Sequence, residues 1–169
     1  MKFKEANKEN KTDEAIEIYK NIILELSDQA YAWHEFANIF KHRNKLLSIS
    51  MLCKAITIQP NEDFLGEIRL DLAELLLDNK QLNEGLIELT KYKKHREEKG
   101  WKTPERFQIL FSKVSDIECS SLDNKTFYES SKLEAEEYIL SNIPSTYVVL
   151  YETFKNKAGK KRLIFTDFK

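Results

Sequence analysis

Residues Ala30-Tyr-Ala-Trp-His-Glu-Phe-Ala-Asn-Ile-Phe40 are followed by the polar break Lys41-His-Arg-Asn-Lys45 and by a second apolar run to Ile58. The stretch reads as a helix, a tight turn and a second helix, stopped at Pro60-Asn61. Trp33, Phe36, Ala37 and Phe40 fall at i, i+3, i+4 and i+7, which is one helical face. Leu52, Ala55, Ile56 and Ile58 line the second helix in the same way. Ala37 and Ala55 are small where two helices must approach closely. An aromatic stripe at helical spacing is core rather than a ligand cage.

These residues resemble one tetratricopeptide (TPR) repeat, with Trp33, Phe36, Ala37 and Phe40 in its first helix and Ala55 and Pro60 closing its second. The turn is one residue shorter than in that unit. Leu72, Ala73, Leu76, Leu82, Gly85, Leu89 and Tyr92 follow the pattern again without its Trp, and Ala15 precedes Trp33 by the family's spacing. The resemblance implies a mainly α fold of stacked antiparallel helix pairs, a TPR-like α-solenoid. In such folds a concave groove, lined by the first helix of each pair, holds a peptide or a partner's helix.

Working outward, residues 1–100 are expected to form the repeats. Phe3 to Asn10 reads as a polar stub, and Thr12 as the cap of a helix burying Ala15, Ile18, Tyr19 and Ile22. The stub is expected either where a protein starts half a repeat in or at the edge of a fragment of something longer. Phe64, Leu65, Ile68, Leu72, Leu75 and Leu76 make one apolar face, and Gly100 stops the long helix from Leu82. Residues 101–143 are expected to form a divergent helix pair that covers the end of the stack. Thr103-Pro104 opens its first helix, and a Thr126/Glu129 capping box opens the second. From Pro144 the period changes. Thr146–Tyr151 and Leu163–Thr166 are β-branched and aromatic, so 144–169 is expected to form a C-terminal β-hairpin whose turn spans the basic stretch Lys155–Arg162.

Composition removes several classes of function. The net charge of the 169-residue chain is -1, which gives no global field for nucleic acid. No apolar run approaches the ~20 residues of a membrane span. Cys53 and Cys119 read as reduced thiols of a cytoplasmic protein. His34, His42 and His95 lack metal-ligand spacing, the four glycines form no phosphate loop, and no nucleophile or paired-acid motif emerges. No catalytic residue, metal or cofactor is expected.

What is expected is a scaffold that binds another protein. The groove implied by the resemblance takes His34, Asn38, Lys41 and His42 from one helix and Glu67, Asp71, Glu74 and Asp78 from the next. The acidic set recurs at i, i+4, i+7 and i+11, a single stripe. Two outcomes stay open: the stripes pair with each other, Lys41 or Lys45 with Glu74 or Asp78, or they form charged walls that orient a partner. The alternative function is a nucleic-acid accessory module. There Lys155, Lys157, Lys160, Lys161 and Arg162 would contact phosphates, and Tyr147, Tyr151 or Phe165 would stack on bases.

Overall fold

The computed structural model describes residues 2–117, 123–141, 148–155 and 161–167, with only the backbone described for 2–10, 12 and most strand residues. Helix α1 spans Lys2–Glu25 without a break. No Gly or Pro interrupts that stretch, so the expected stub and the cap at Thr12 are replaced by one continuous helix. Its buried face is Ile16 and Ile23, with Tyr19 and Leu26 packed beside them, while Ile18 is exposed. The expected face from Ala15 is therefore rotated by about one residue.

Helices α2 (Ala30–Phe40) and α3 (Lys45–Ile58) pack as an antiparallel pair. The Asn44 side chain caps α3 by accepting from Leu47 N–H. Trp33 is buried, and its indole N–H donates to the Ser27 carbonyl at 2.9 Å. Phe36 is stacked on Tyr19 and meets Phe40 edge-on. Helix α3 is buried from Leu47 to Cys53 on every side, because neighbours cover both of its flanks.

A 3-10 turn, Glu62–Phe64, leads into α4 (Gly66–Asp78), and Asn61 caps the turn rather than the helix. Phe64 therefore leaves the expected apolar face and stands exposed. Helix α5 (Leu82–Glu98) returns along α4. At Gly85 an added Cβ would lie 2.7 Å from Leu77 Cδ2, so this crossing needs a residue without a side chain.

Helix α6 (Glu105–Ser112) and helix α7 (Lys125–Leu140) complete the helical part. They do not form a repeat pair. Phe107, Leu110 and Val114 join the cluster made by α4 and α5, whereas Tyr128, Ala135 and Ile139 join the cluster made by α1 to α4. Pro104 opens α6 without a side-chain cap, and the Thr103 hydroxyl instead accepts from Gln108. Thr126 lies inside α7, so the expected capping box does not form; Asn124 C=O accepts the first helical bond. Helix α7 lies so close to α3 that Ser50 Oγ donates to the Ser131 carbonyl at 2.5 Å and accepts from Ala135 N–H at 2.7 Å. A hydroxyl thus sits in the helical ladder of its neighbour.

A buried polar network joins α4, α5 and α7. Glu88 is fully buried and accepts from Arg69 Nη1 at 2.5 Å, from Asn124 Nδ2 at 2.6 Å and from the Tyr128 hydroxyl. Arg69 also reaches Glu62 at 2.8 Å and the Tyr128 oxygen at 3.2 Å. Burial and the adjacent Glu88 carboxylate hold the Tyr128 phenol well above its ordinary value. Cys53 is free and buried, and burial likewise pushes its thiol up, which makes it inert. Cys119 lies outside the described residues.

The expected fold class, a TPR-like α-solenoid ending in a β-hairpin with a basic turn, is corrected in three respects. Helix α1 is one long helix rather than half of a repeat, and α7 turns back over α3 instead of extending a stack. At the C-terminus, β1 (Val148–Lys155) pairs antiparallel with β2 (Lys161–Asp167), placing Leu150 opposite Phe165 and Lys155 opposite Lys161, with an irregularity between Leu150 and Glu152. Lys155, Lys161 and Arg162 are therefore strand residues, while Tyr147, Lys157 and Lys160 lie outside the described residues. The chain divides into two compact units, Met1–Ile139 and Leu140–Lys169. Among the described residues no helix is long and apolar enough to cross a membrane.

Two substitutions test this core by chemical denaturation. Trp33→Ala is expected to cost about 3–5 kcal/mol through lost burial and a cavity. Glu88→Ala is expected to cost a similar amount, about 3–5 kcal/mol, because it strands the Arg69 guanidinium inside.

Candidate functional site

The two charged stripes expected to form a groove do lie side by side on α2 and α4. They pair with each other. His34 Nε2 lies 2.6 Å from Asp71, Lys41 Nζ 2.7 Å from Glu74, and Lys45 Nζ 3.6 Å from Asp78. A further cation arrives from α6: Arg106 reaches Asp71 at 2.5 Å, Glu74 at 2.7 Å and Glu67 at 3.5 Å. Burial raises the pKa of Asp71, but hydrogen bonds from His34 and Arg106 outweigh it and hold the carboxyl below its ordinary range. Glu74 follows the same pattern, with Lys41 and Arg106 opposing its burial. Asn38 and His42 are exposed and take no part in the network. The stripes are thus a matched electrostatic seam, and the two charged walls are already satisfied from within the chain.

Arg106 has no signal in the sequence. It is separated by more than thirty residues from its partners, and only the packing of α6 on α4 brings it there. For the alternative set on the last two strands, Lys155, Lys161 and Arg162 are placed by backbone alone.

A different surface emerges at the end of α5. The helix closes with a Schellman motif: Gly100 N–H donates to Glu97 C=O at 3.1 Å and Trp101 N–H to Arg96 C=O at 2.8 Å. Gly100 has φ +69, a left-handed conformation that a side chain would strain. The motif projects Trp101 outward, with its side chain 45% exposed. The Arg96 guanidinium lies 5.6 Å from the indole centre and Lys99 Nζ 6.0 Å from it, while His95 meets the ring edge-on. Arg96 also donates to the Lys102 carbonyl at 2.7 Å, which pins the loop into α6.

Trp101 stands between two hollows. The smaller is lined by Asp63, Gly66, Tyr92, His95 and Arg96, and its acids are taken: Asp63 pairs with His95 and Lys99, each at 2.9 Å. The larger is an open groove of about 570 Å³ between α5 and α6. Its floor is aromatic, with Phe107 stacked on Tyr92 at 5.5 Å and on Phe111 at 5.3 Å. Lys93, Lys102 and Glu97 stand on its rim, and the Lys93 ammonium lies 5.6 Å from the Phe111 ring centre. The sequence held a hint of this surface, since an apolar residue after a helix-ending Gly commonly folds back on the last turn. Among the described residues no group of three or more His, Cys, Asp or Glu side chains is arranged to hold a metal ion.

These features define a mainly helical protein with a self-neutralised charged seam and an aromatic, cation-rimmed groove. Residues 3–135, most of the chain, match the family described as "Domain of unknown function (DUF7017)", and the chain belongs to that family. The TPR resemblance is corrected by this finding, since the family matched is not the tetratricopeptide one. The aromatic and small-residue spacing of Ala30–Tyr92 reflects tight helix pairing, which is not peculiar to one family. No curated protein and no solved structure matches the chain.

Arg106→Gln is expected to destabilise by about 1 kcal/mol at neutral pH, because the seam is partly exposed. The folded-state pKa values of Asp71 and Glu74 are depressed, so their contribution is complete above the unfolded values of 3.8 and 4.5 and is lost as pH falls through the folded ones. The stability gap between wild type and variant, read from thermal unfolding at several pH values, should therefore shrink on acidification.

Proposed function

We propose that this chain is a protein-interaction module that docks a partner protein on the α5–α6 surface around Trp101. One observation carries the reading: a half-exposed Trp is held rigidly by a Schellman turn beside an open groove with an aromatic floor. Trp, Tyr and Arg dominate the energetics of protein interfaces, and a pre-set aromatic anchor loses little entropy on binding. The charged seam between α2 and α4 is a poorer docking place, because a partner would have to displace ion pairs that already exist.

A protein partner fits the surface better than a nucleic acid. Glu97 and Glu98 interrupt the cations around Trp101, and Lys93 and Lys94 lie 3.8 Å and 4.0 Å from them. A reducing compartment such as the cytoplasm suits the free, buried Cys53.

Site-specific photo-crosslinking tests the reading. A crosslinking residue in place of Gln108, on the groove wall, should trap a discrete protein in native lysate. Trp101→Ala in the same protein should reduce that adduct at least tenfold, with circular dichroism and melting unchanged. Equal adducts with and without the Trp101 side chain would refute the docking surface.

A further inference from the structure

We infer that the partner element seated in the α5–α6 groove is an acidic peptide segment carrying a bulky apolar side chain. The inference rests on the docking role of the Trp101 surface and adds the chemistry of what binds there. The groove volume of about 570 Å³ falls within the ~300–1,000 Å³ typical of ligand-holding clefts. Above the buried Phe107, the rings of Phe111 and Trp101 are the aromatic surface left open, which an inserted aromatic or aliphatic side chain would remove from water.

Charge decides what flanks that side chain. Between Lys91 and Lys102 the chain places six Lys or Arg against two Glu, although the whole chain is nearly neutral at -1. The nearest carboxylates are engaged locally: Glu97 with Lys93 and Glu98 with Lys94 on α5, and Asp63 with His95 and Lys99. Lys102, on the groove rim, has no carboxylate within ion-pair distance among the described residues. On α4 the opposite holds, since its acids are met by Lys41, Lys45 and Arg106 from the same chain. Lys93, Lys94 and Lys99 are thereby paired within the chain, which leaves Arg96 and Lys102 beside Trp101 as the cations that carboxylates on a partner complement and orient on.

The site is also built before the ligand arrives. The Gly100 and Trp101 N–H bonds to α5 fix the start of the 99–104 loop, and Arg96 on the Lys102 carbonyl with Gln108 on the Thr103 hydroxyl at 2.8 Å fixes its end. Little ordering of the protein accompanies binding.

The probe is a synthetic peptide of about ten residues, one central Phe flanked by Asp and Glu, titrated into the full chain and followed by the indole N–H resonance of Trp101. Saturable binding is expected. It should weaken at least tenfold when the Phe is replaced by Ala, when the acids are replaced by their amides, or in the variants Trp101→Ala and Lys102→Glu. Arg43→Gln, on the turn between α2 and α3, should bind as wild type does. Lack of binding, or binding indifferent to Trp101→Ala and Lys102→Glu, overturns the inference. So does tighter, Trp101-dependent binding of a single-stranded oligonucleotide. If the Trp101-dependent crosslink to a protein persists while the peptide fails, the docking surface stands and only the acidic-segment assignment falls. If both fail, both fall.

Discussion

Glu88 is a carboxylate with no access to water, and the helical unit is arranged around keeping it satisfied. An isolated buried carboxylate costs many kcal/mol, so its partners are obligatory. Arg69 comes from α4, Tyr128 and Asn124 from α7 and the residue before it, and Glu62 closes the far side of Arg69. These side chains fix where α7 begins relative to α4 and α5. Hydrophobic burial alone would leave that position loosely defined, because apolar surface has no direction.

With its start fixed, α7 runs back along α3. The Ser50 hydroxyl then enters its backbone ladder and Lys54 meets Glu136 at 2.5 Å. This return path encloses α3 from Leu47 to Cys53, in keeping with a sequence that carries no clean polar face. The core holds two apolar clusters, one under α1 to α4 and α7, the other under the opposite face of α4 with α5 and α6. Helix α6 belongs wholly to the second. It delivers Arg106 to the acidic seam through one face and Phe107 and Phe111 to the groove floor through another. The same short helix therefore cancels charge through one face and lines the open groove through another.

That division bears on how a charged stripe is read. A stripe of Glu and Asp at helical spacing looks like a wall awaiting a basic partner. In the fold the basic partner is internal, since Arg106, Lys41 and Lys45 already meet these acids. Charge patterning along a single helix records what the helix needs, and says little about whether the need is met within the chain.

The sequence by itself determined the helices from Ala30 to Ser112, with Trp33, Phe36, Leu72, Leu76 and Leu89 in their cores, because periodic burial and turn residues such as Gly100 are local properties. That the α2 and α4 stripes are neighbours was implied by the TPR resemblance alone, and the ion pairs between them stand although the family is another. The family and the architecture lay beyond the sequence: the motif of Trp33, Phe36, Ala37 and Phe40 serves any closely packed helix pair. Only the tertiary structure decided the return of α7, the burial of Glu88, the arrival of Arg106 and the groove beneath Trp101. Ser50 with Ser131, Glu88 with Tyr128 and Glu74 with Arg106 are thirty or more positions apart, and the groove follows from how α6 packs on α5; chain periodicity contains no term for the angle at which two helices cross.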